Sequence, residues 1–239
     1  FNQSRFALAK DLCLQIPATS PEYSDALNLL GCIANIEGNA SNAIALFTNA
    51  IALKKTNPVF YNNLAALLIA NHLDDQAQKC LEEALQNAPS GAAYNNLGGL
   101  LERQNRLPEA IDAYRRATKL EPRNATMWVN LGAALVMVNE NGQAIDCLEK
   151  VHSLEPDNLG ASINLSVALI QANRFDEAEQ HLRAALLLAP ASAVLNNNLG
   201  GVLQRQGRHH ESVEWYRQAV RYQPGDANMW NNLGFALQL

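Results

Sequence analysis

The chain has 239 residues, 48% of them hydrophobic but only 6% aromatic, and a formal charge of -5. Its 18 lysines and arginines are scattered singly, so no basic stripe exists to neutralise a row of phosphates, which argues against nucleic acid as a partner. The longest apolar runs, such as Ala65 to Ala70 and Ala184 to Ala189, fall far short of the roughly 20 residues that span a bilayer, so no membrane insertion is expected.

From the start of the chain to its end, a leucine followed by a small residue recurs: Leu30-Gly31, Leu64-Ala65, Leu97-Gly98, Leu131-Gly132, Leu165-Ser166, Leu199-Gly200 and Leu233-Gly234. The intervals are 34, 33, 34, 34, 34 and 34 residues. A unit of that length cannot bury its own apolar face and must stack on its neighbours. An Ala- and Leu-rich, aromatic-poor mixture suits helices in contact better than a sheet core. With the leucine as position 7, residues 1–23 read as a lone second helix. Full units follow at 24–57, 58–90, 91–124, 125–158, 159–192 and 193–226, and residues 227–239 read as a lone first helix. The chain therefore looks cut at both ends. A stacked array usually closes on a polar helix, yet Phe235, Leu237 and Leu239 would be exposed, so the natural protein is expected to continue beyond Leu239.

Each unit carries the same punctuation. Asn57, Ser90, Asn124, Asn158, Ser192 and Asp226 precede the later units, and each can accept a hydrogen bond from the free N–H groups of a first helical turn. Position 15 (Gly38, His72, Asn105, Asn139, Asn173, Gly207) is Gly or Asn in five of six units, which suits the left-handed residue that ends a helix. Pro108 stands near the start of a second helix, where its missing N–H costs nothing. Position 20 is small throughout (Ala9, Ala43, Ala77, Ala110, Ala144, Ala178, Ser212) and lets two helix backbones approach. Position 24 (Cys13, Phe47, Leu81, Tyr114, Leu148, Leu182, Tyr216) supplies bulk expected to fill the space between units. Proline at position 32 stops the second helix in six of seven places, with Lys55 the exception.

A 34-residue unit with Trp, Leu, Gly, Ala, aromatic, Ala and Pro at these offsets resembles the tetratricopeptide repeat. Residues 91–124 carry most of the likeness, with Tyr94, Leu97, Gly98, Ala110, Tyr114, Ala117 and Pro122. Ser162 and Asn196 depart from it at position 4, and the second unit is one residue short. The resemblance implies an all-α fold, a right-handed α-solenoid of helix-turn-helix repeats, with first helices (A) on the concave side and second helices (B) on the convex side.

On that expectation the inner wall comprises positions 2, 5, 6, 9, 12 and 13. Position 6 is Asn63, Asn96, Asn130, Asn164, Asn198 and Asn232 after Leu29, and position 5 adds Asn28, Asn62, Asn95, Asn197 and Asn231. Asparagine inside a helix costs up to about 0.7 kcal/mol relative to alanine, so eleven of them call for a compensating interaction. A carboxamide carries both donors and an acceptor and so matches a peptide group. Packed helices lie roughly 8–10 Å apart and an extended chain advances about 3.3 Å per residue, so one amide meets about every third residue of a guest. The row resembles the asparagine ladder of the tetratricopeptide superhelix in O-GlcNAc transferases. The alternative is that the amides bond to neighbouring helices and fix the stack. Val129, Met137, Ile163 and Val167 make the middle of the wall apolar, between Arg103 and Arg205, which suits a guest with a hydrophobic centre and acidic flanks. No lysine lies in any helix A, which disfavours the acidic tails of chaperones.

Neither catalysis nor cofactor is indicated. The five histidines lack a nucleophile or carboxylate at a useful spacing, and Cys13, Cys32, Cys80 and Cys147 form no metal-binding pair. Buried thiols in a reducing, cytoplasmic setting are the expectation. The leading function is a scaffold that binds a protein or peptide along its groove. A recruiting arm of a larger enzyme of the O-GlcNAc transferase type is the alternative, and self-association through the end helices is a third reading.

Overall fold

The computed structural model describes residues 2–238, with side-chain surroundings for residues 6–238. Fourteen helices and no strand occur among the described residues, in two compact units spanning residues 1–121 and 122–239. The first unit holds α1 (Asn2–Leu14), α2 (Tyr23–Ile36), α3 (Ala40–Leu53), α4 (Pro58–Ala70), α5 (Asp74–Asn87), α6 (Gly91–Arg103) and α7 (Leu107–Leu120). The second holds α8 (Ala125–Met137), α9 (Asn141–Leu154), α10 (Leu159–Gln171), α11 (Phe175–Leu188), α12 (Ala193–Arg205), α13 (His209–Tyr222) and α14 (Ala227–Ala236). Each unit is a stretch of α-solenoid in which every helix packs on the next.

The helix ends follow from local chemistry. Asn57, Ser90, Asn158, Ser192 and Asp226 each accept a backbone N–H in the first turn of the helix they precede, while Asn124 makes no such cap bond. All six residues at position 15 take positive φ, from 58° at His72 to 78° at Gly38 and Gly207. The backbone N–H after each closes on the carbonyl five residues before it, as in Leu73 to Leu68 and Arg208 to Leu203 at 2.9 Å. His72 thus adopts the conformation that its glycine and asparagine counterparts favour.

The core lies between the helices of a pair. Ala43, Ala77, Ala110, Ala144, Ala178 and Ser212 are wholly buried, and so are Leu100, Leu165 and Leu199; removing one such leucine side chain from water contributes about 1.5–3 kcal/mol. The bulky residue at position 24 sits on the glycine of its own pair and also borders the next repeat, as Phe47 does beside Asn63 and Tyr216 beside Asn232. A Cβ placed on Gly31 would lie 2.6 Å from the Phe47 ring, and one on Gly98 would lie 2.5 Å from Tyr114. Gly132 meets Leu148 and Gly200 meets Tyr216 in the same way. The glycine is a seat for a side chain, and all three aromatics at position 24 face one.

Position 4 locks consecutive repeats through the proline that ended the previous helix. The indole N–H of Trp128 donates to the Pro122 carbonyl at 3.0 Å, and that of Trp230 to Pro224 at 2.9 Å. Asn196, 1% exposed, performs the same task with its amide, donating to Pro190 at 3.1 Å and to the Ser192 carbonyl at 2.8 Å. The departure from the aromatic at this position therefore conserves a donor rather than a ring. Asn196→Leu is expected to lower stability by about 1 kcal/mol, because the Pro190 carbonyl loses its partner while the Ser192 carbonyl keeps the backbone N–H of residue 196. A urea midpoint unchanged from the parent would refute that role.

Candidate functional site

Within each unit the backbones of α2, α4 and α6, and of α8, α10, α12 and α14, come within 8 Å of their counterparts in the next repeat, whereas among the described residues the backbones of α3, α5 and α7, or of α9, α11 and α13, do not. Helices A therefore crowd one side and helices B splay on the other, which makes the helix-A side the inner face of each unit.

The asparagines of that face form rungs. In the first unit the Asn63 amide donates to the Asn28 carboxamide oxygen at 2.9 Å, and Asn96 donates to Asn62 at 2.7 Å. In the second unit Asn232 donates to Asn197 at 2.9 Å. The rule is that position 6 of one repeat bonds position 5 of the repeat before it. Where position 5 is apolar the rule fails. Asn198 faces Ile163 in that register and turns instead to the Ser166 hydroxyl at 3.1 Å. Asn164 faces Val129, and its half-buried carboxamide pairs with no described residue. Asn95 and Asn130 are half-buried and engaged, and Asn231 is exposed. Each rung uses one N–H and one lone pair; Asn63 also donates to Cys32 Sγ at 3.6 Å, and the position-6 oxygens take no part in the rungs.

Val129, Ile163 and Val167 are half-buried and Met137 is 55% exposed, so α8 and α10 show an apolar strip around the unpaired Asn164. Beyond it, α10, α12 and α14 enclose an open cleft of about 690 Å³ that gathers Asn197, Asn198, Arg205 and Asn232. The same cleft includes Gln204 and Phe235, at wall positions 12 and 9, and Tyr216, which sequence reasoning did not assign to the site. Tyr216 belongs to α13, a helix B, and reaches the inner face past Gly201, whose backbone it approaches because no side chain blocks the way. Its hydroxyl donates to Gln204 Oε1 at 3.1 Å. The first unit repeats the device: Tyr114 donates to Glu102 Oε2 at 3.0 Å, beside Gly99. Burial, with the Glu102 charge behind it, pushes the Tyr114 phenol up from its ordinary range, so the phenol stays protonated as the donor. Glycine at position 9 above an aromatic at position 24 was the available sequence signal.

The two arginines differ. Arg103 is engaged within the first unit: Nη1 donates to the Ile69 carbonyl at 2.6 Å, while Nη2 meets His72 Nδ1 at 2.8 Å and Asp74 at 3.1 Å. It closes the end of α4 rather than standing free over the groove. Arg205 lies over the Phe175 ring at 5.4 Å and has no carboxylate partner among the described residues.

Other chemistry-bearing groups lie apart from this face. His152 and His181 stack across α9 and α11 at 5.8 Å, half-buried rather than at the surface, and burial followed by the neighbouring His152 lowers the His181 pKa. Cys13, Cys80 and Cys147 are buried free thiols and Cys32 is half-buried; burial pushes Cys80 up to about 12. No group of three metal-ligating side chains occurs among the described residues. No helix described is long and apolar enough to cross a membrane.

Family models described as tetratricopeptide repeat match residues 64–125, 108–146 and 138–197, and one described as TPR repeat matches 205–239. The chain belongs to the tetratricopeptide repeat family. Among curated tetratricopeptide proteins it is 31% identical over 91 residues to the small glutamine-rich tetratricopeptide repeat-containing protein of Dictyostelium discoideum, covering 38% of this chain and 27% of that one. Over 122 residues it is 31% identical to small glutamine-rich tetratricopeptide repeat-containing protein 2 of Saccharomyces cerevisiae, covering 49% and 35%. The chain thus spans about a third or less of these relatives' length. Among solved structures, the Cut9–Hcn1 hetero-tetramer of the APC/C gives a TM-score of 0.75 at 16% identity, covering 98% of this chain and 46% of that one. YrrB, described as a TPR protein with an unusual peptide-binding site, gives 0.70 at 23% identity, covering 81% and 98%. PilW, a type IV pilus biogenesis factor, gives 0.75 at 18%, covering 91% and 100%. These structural likenesses establish a shared tetratricopeptide fold.

Proposed function

We propose that this chain is a non-catalytic scaffold that holds an extended polypeptide on the inner face of its helices A. The observation that carries the reading is Asn164: a half-buried carboxamide on an apolar strip, without the rung partner that Asn63, Asn96 and Asn232 have. A guest carbonyl or N–H supplies what Val129 cannot, and the surrounding Val129, Ile163 and Val167 bury apolar side chains of the guest. The rungs themselves hold neighbouring helices in register. YrrB, of like fold, is described as a TPR protein with an unusual peptide-binding site, which supports a peptide as the kind of guest. The alternative of a recruiting arm in an O-GlcNAc-transferase-like enzyme uses the same amides; their bonding to one another gives it less support, and a catalytic domain in the same reading frame is what it requires.

The side-chain amide resonances of the asparagines test the proposal. Adding peptides selected from a random dodecapeptide library is expected to shift the Asn164 amide signals strongly and the Asn63 and Asn96 signals little. Selected peptides that leave Asn164 unmoved would contradict it.

A further inference from the structure

The Tyr216–Gln204 pair in the second unit and the Tyr114–Glu102 pair in the first are one arrangement with two chemistries. In both, a tyrosine hydroxyl from a helix B emerges beside a glycine of helix A and holds the side chain at position 12. In the first unit that side chain is a carboxylate, and the adjacent Arg103 is tied to Ile69, His72 and Asp74. In the second it is a neutral amide whose oxygen accepts the tyrosine hydrogen bond, which leaves the Nε2 donors. Next to it stands Arg205, spread over Phe175 and without a carboxylate partner among the described residues. Among the residues lining the second unit's cleft, Arg205 alone is ionised, so donors outnumber acceptors there and no acid repels an anion.

We infer that this cleft selects an acidic residue on its guest, with Arg205 pairing the carboxylate and Gln204, positioned by Tyr216, setting the preference. The selection rests on the proposed function, since it needs a polypeptide guest. The guanidinium is planar, and Phe175 beneath it limits its freedom, so its N–H fork is presented with little further ordering. Gln204 contributes by what it is not: a glutamate at that position, as in the first unit, would place a negative charge in the cleft and oppose the incoming carboxylate. Phe235, 58% exposed on the far wall, offers an apolar contact to a residue beside the acid. The acidic flank expected from sequence at both arginines is thereby confined to one of them, because Arg103 already serves the first unit's own structure.

The test uses the whole chain and a set of fluorescein-labelled dodecapeptides. The tightest sequence from a random library is remade with Glu, Gln or Lys at each position in turn, and dissociation constants are read by anisotropy. At one position the Glu peptide is expected to bind about tenfold more tightly than the Lys peptide, with the ratio shrinking as salt is raised. Gln204→Glu and Arg205→Gln should each bring that ratio to about one or below while the chain keeps its circular dichroism spectrum and binds the Gln peptide. Tyr216→Phe should reduce the ratio by about two- to threefold, the loss expected when an amide is no longer held. A ratio near one in the parent, or one untouched by Gln204→Glu and Arg205→Gln, overturns the inference and leaves the proposed function standing. Failure of the parent to bind any library peptide overturns both.

Discussion

Replacing Gly98 by alanine should destabilise the chain, while the same change at Gly99, its neighbour on the helix, should stabilise it. Both glycines lie inside α6, where alanine is favoured over glycine by about 1 kcal/mol. They differ in what a Cβ would meet. At Gly98 it would lie 2.5 Å from Tyr114 Cε1, on a ring that is 2% exposed and held by its hydrogen bond to Glu102. At Gly99 the nearest atom is the Tyr114 hydroxyl oxygen at 3.7 Å, an ordinary contact. Overpacking a filled core typically costs about 1–3 kcal/mol, so Gly98→Ala should be net destabilising by up to about 2 kcal/mol and Gly99→Ala stabilising by up to about 1 kcal/mol. The chain already contains the relief for the first. Ala65 stands opposite Leu81 and Ser166 opposite Leu182, all buried, so Tyr114→Leu should recover part of the stability lost in Gly98→Ala. Chemical unfolding of the four variants measures this. Equal effects at the two glycines would mean that ring seating does not govern the packing of a helix pair.

Much of the fold was legible because its determinants are local. Caps such as Ser90 and Asn158, the left-handed residues at position 15 and the prolines at position 32 act within a few residues of where they stand, and their spacing alone dictates two helices per unit. What escaped the sequence depends on reach between helices. Position 24 read as filler between units, and the seat of Phe47 and Tyr114 on glycines of their own pairs was missed, because ring direction follows from the helix crossing and not from the spacing. Arg103 read as a groove cation, yet its length carries it to the end of α4.

For the candidate site, both amide rows were visible and the choice between guest contact and stacking bond was not. The structure places stacking bonds at Asn63, Asn96 and Asn232, and the proposed guest contact falls to Asn164, which makes none. The break at Asn164 could have been seen in the alternation itself, since Val129 and Ile163 interrupt the asparagines of position 5. Tyr216 was missed because it belongs to a helix B, although Gly201 at position 9, above an aromatic at position 24, was the signal that could have placed it on the inner face.

The second large effect concerns binding. Asn164 has no partner to lose, and alanine is the better helix former by up to about 0.7 kcal/mol, so Asn164→Ala should leave stability unchanged or slightly raised. Asn63→Ala breaks a rung to Asn28 and should lower stability by up to about 1 kcal/mol. On the guest side the order reverses. One main-chain hydrogen bond is worth about 0.5–1.5 kcal/mol, or roughly two- to tenfold in affinity, and Asn130→Ala added to Asn164→Ala should extend the loss to about tenfold or more. Because a carboxamide reads main chain, the loss should be similar for peptides of unrelated sequence.

The most direct measurement is therefore the dissociation constant of the Asn130→Ala, Asn164→Ala double variant, set beside the parent, for several unrelated library-selected peptides, with thermal melts of both proteins alongside. The expected result is affinity reduced about tenfold or more for every peptide, with a cooperative melt kept and lowered only by the contact that Asn130 gives up. Undiminished binding by a folded double variant would contradict the account.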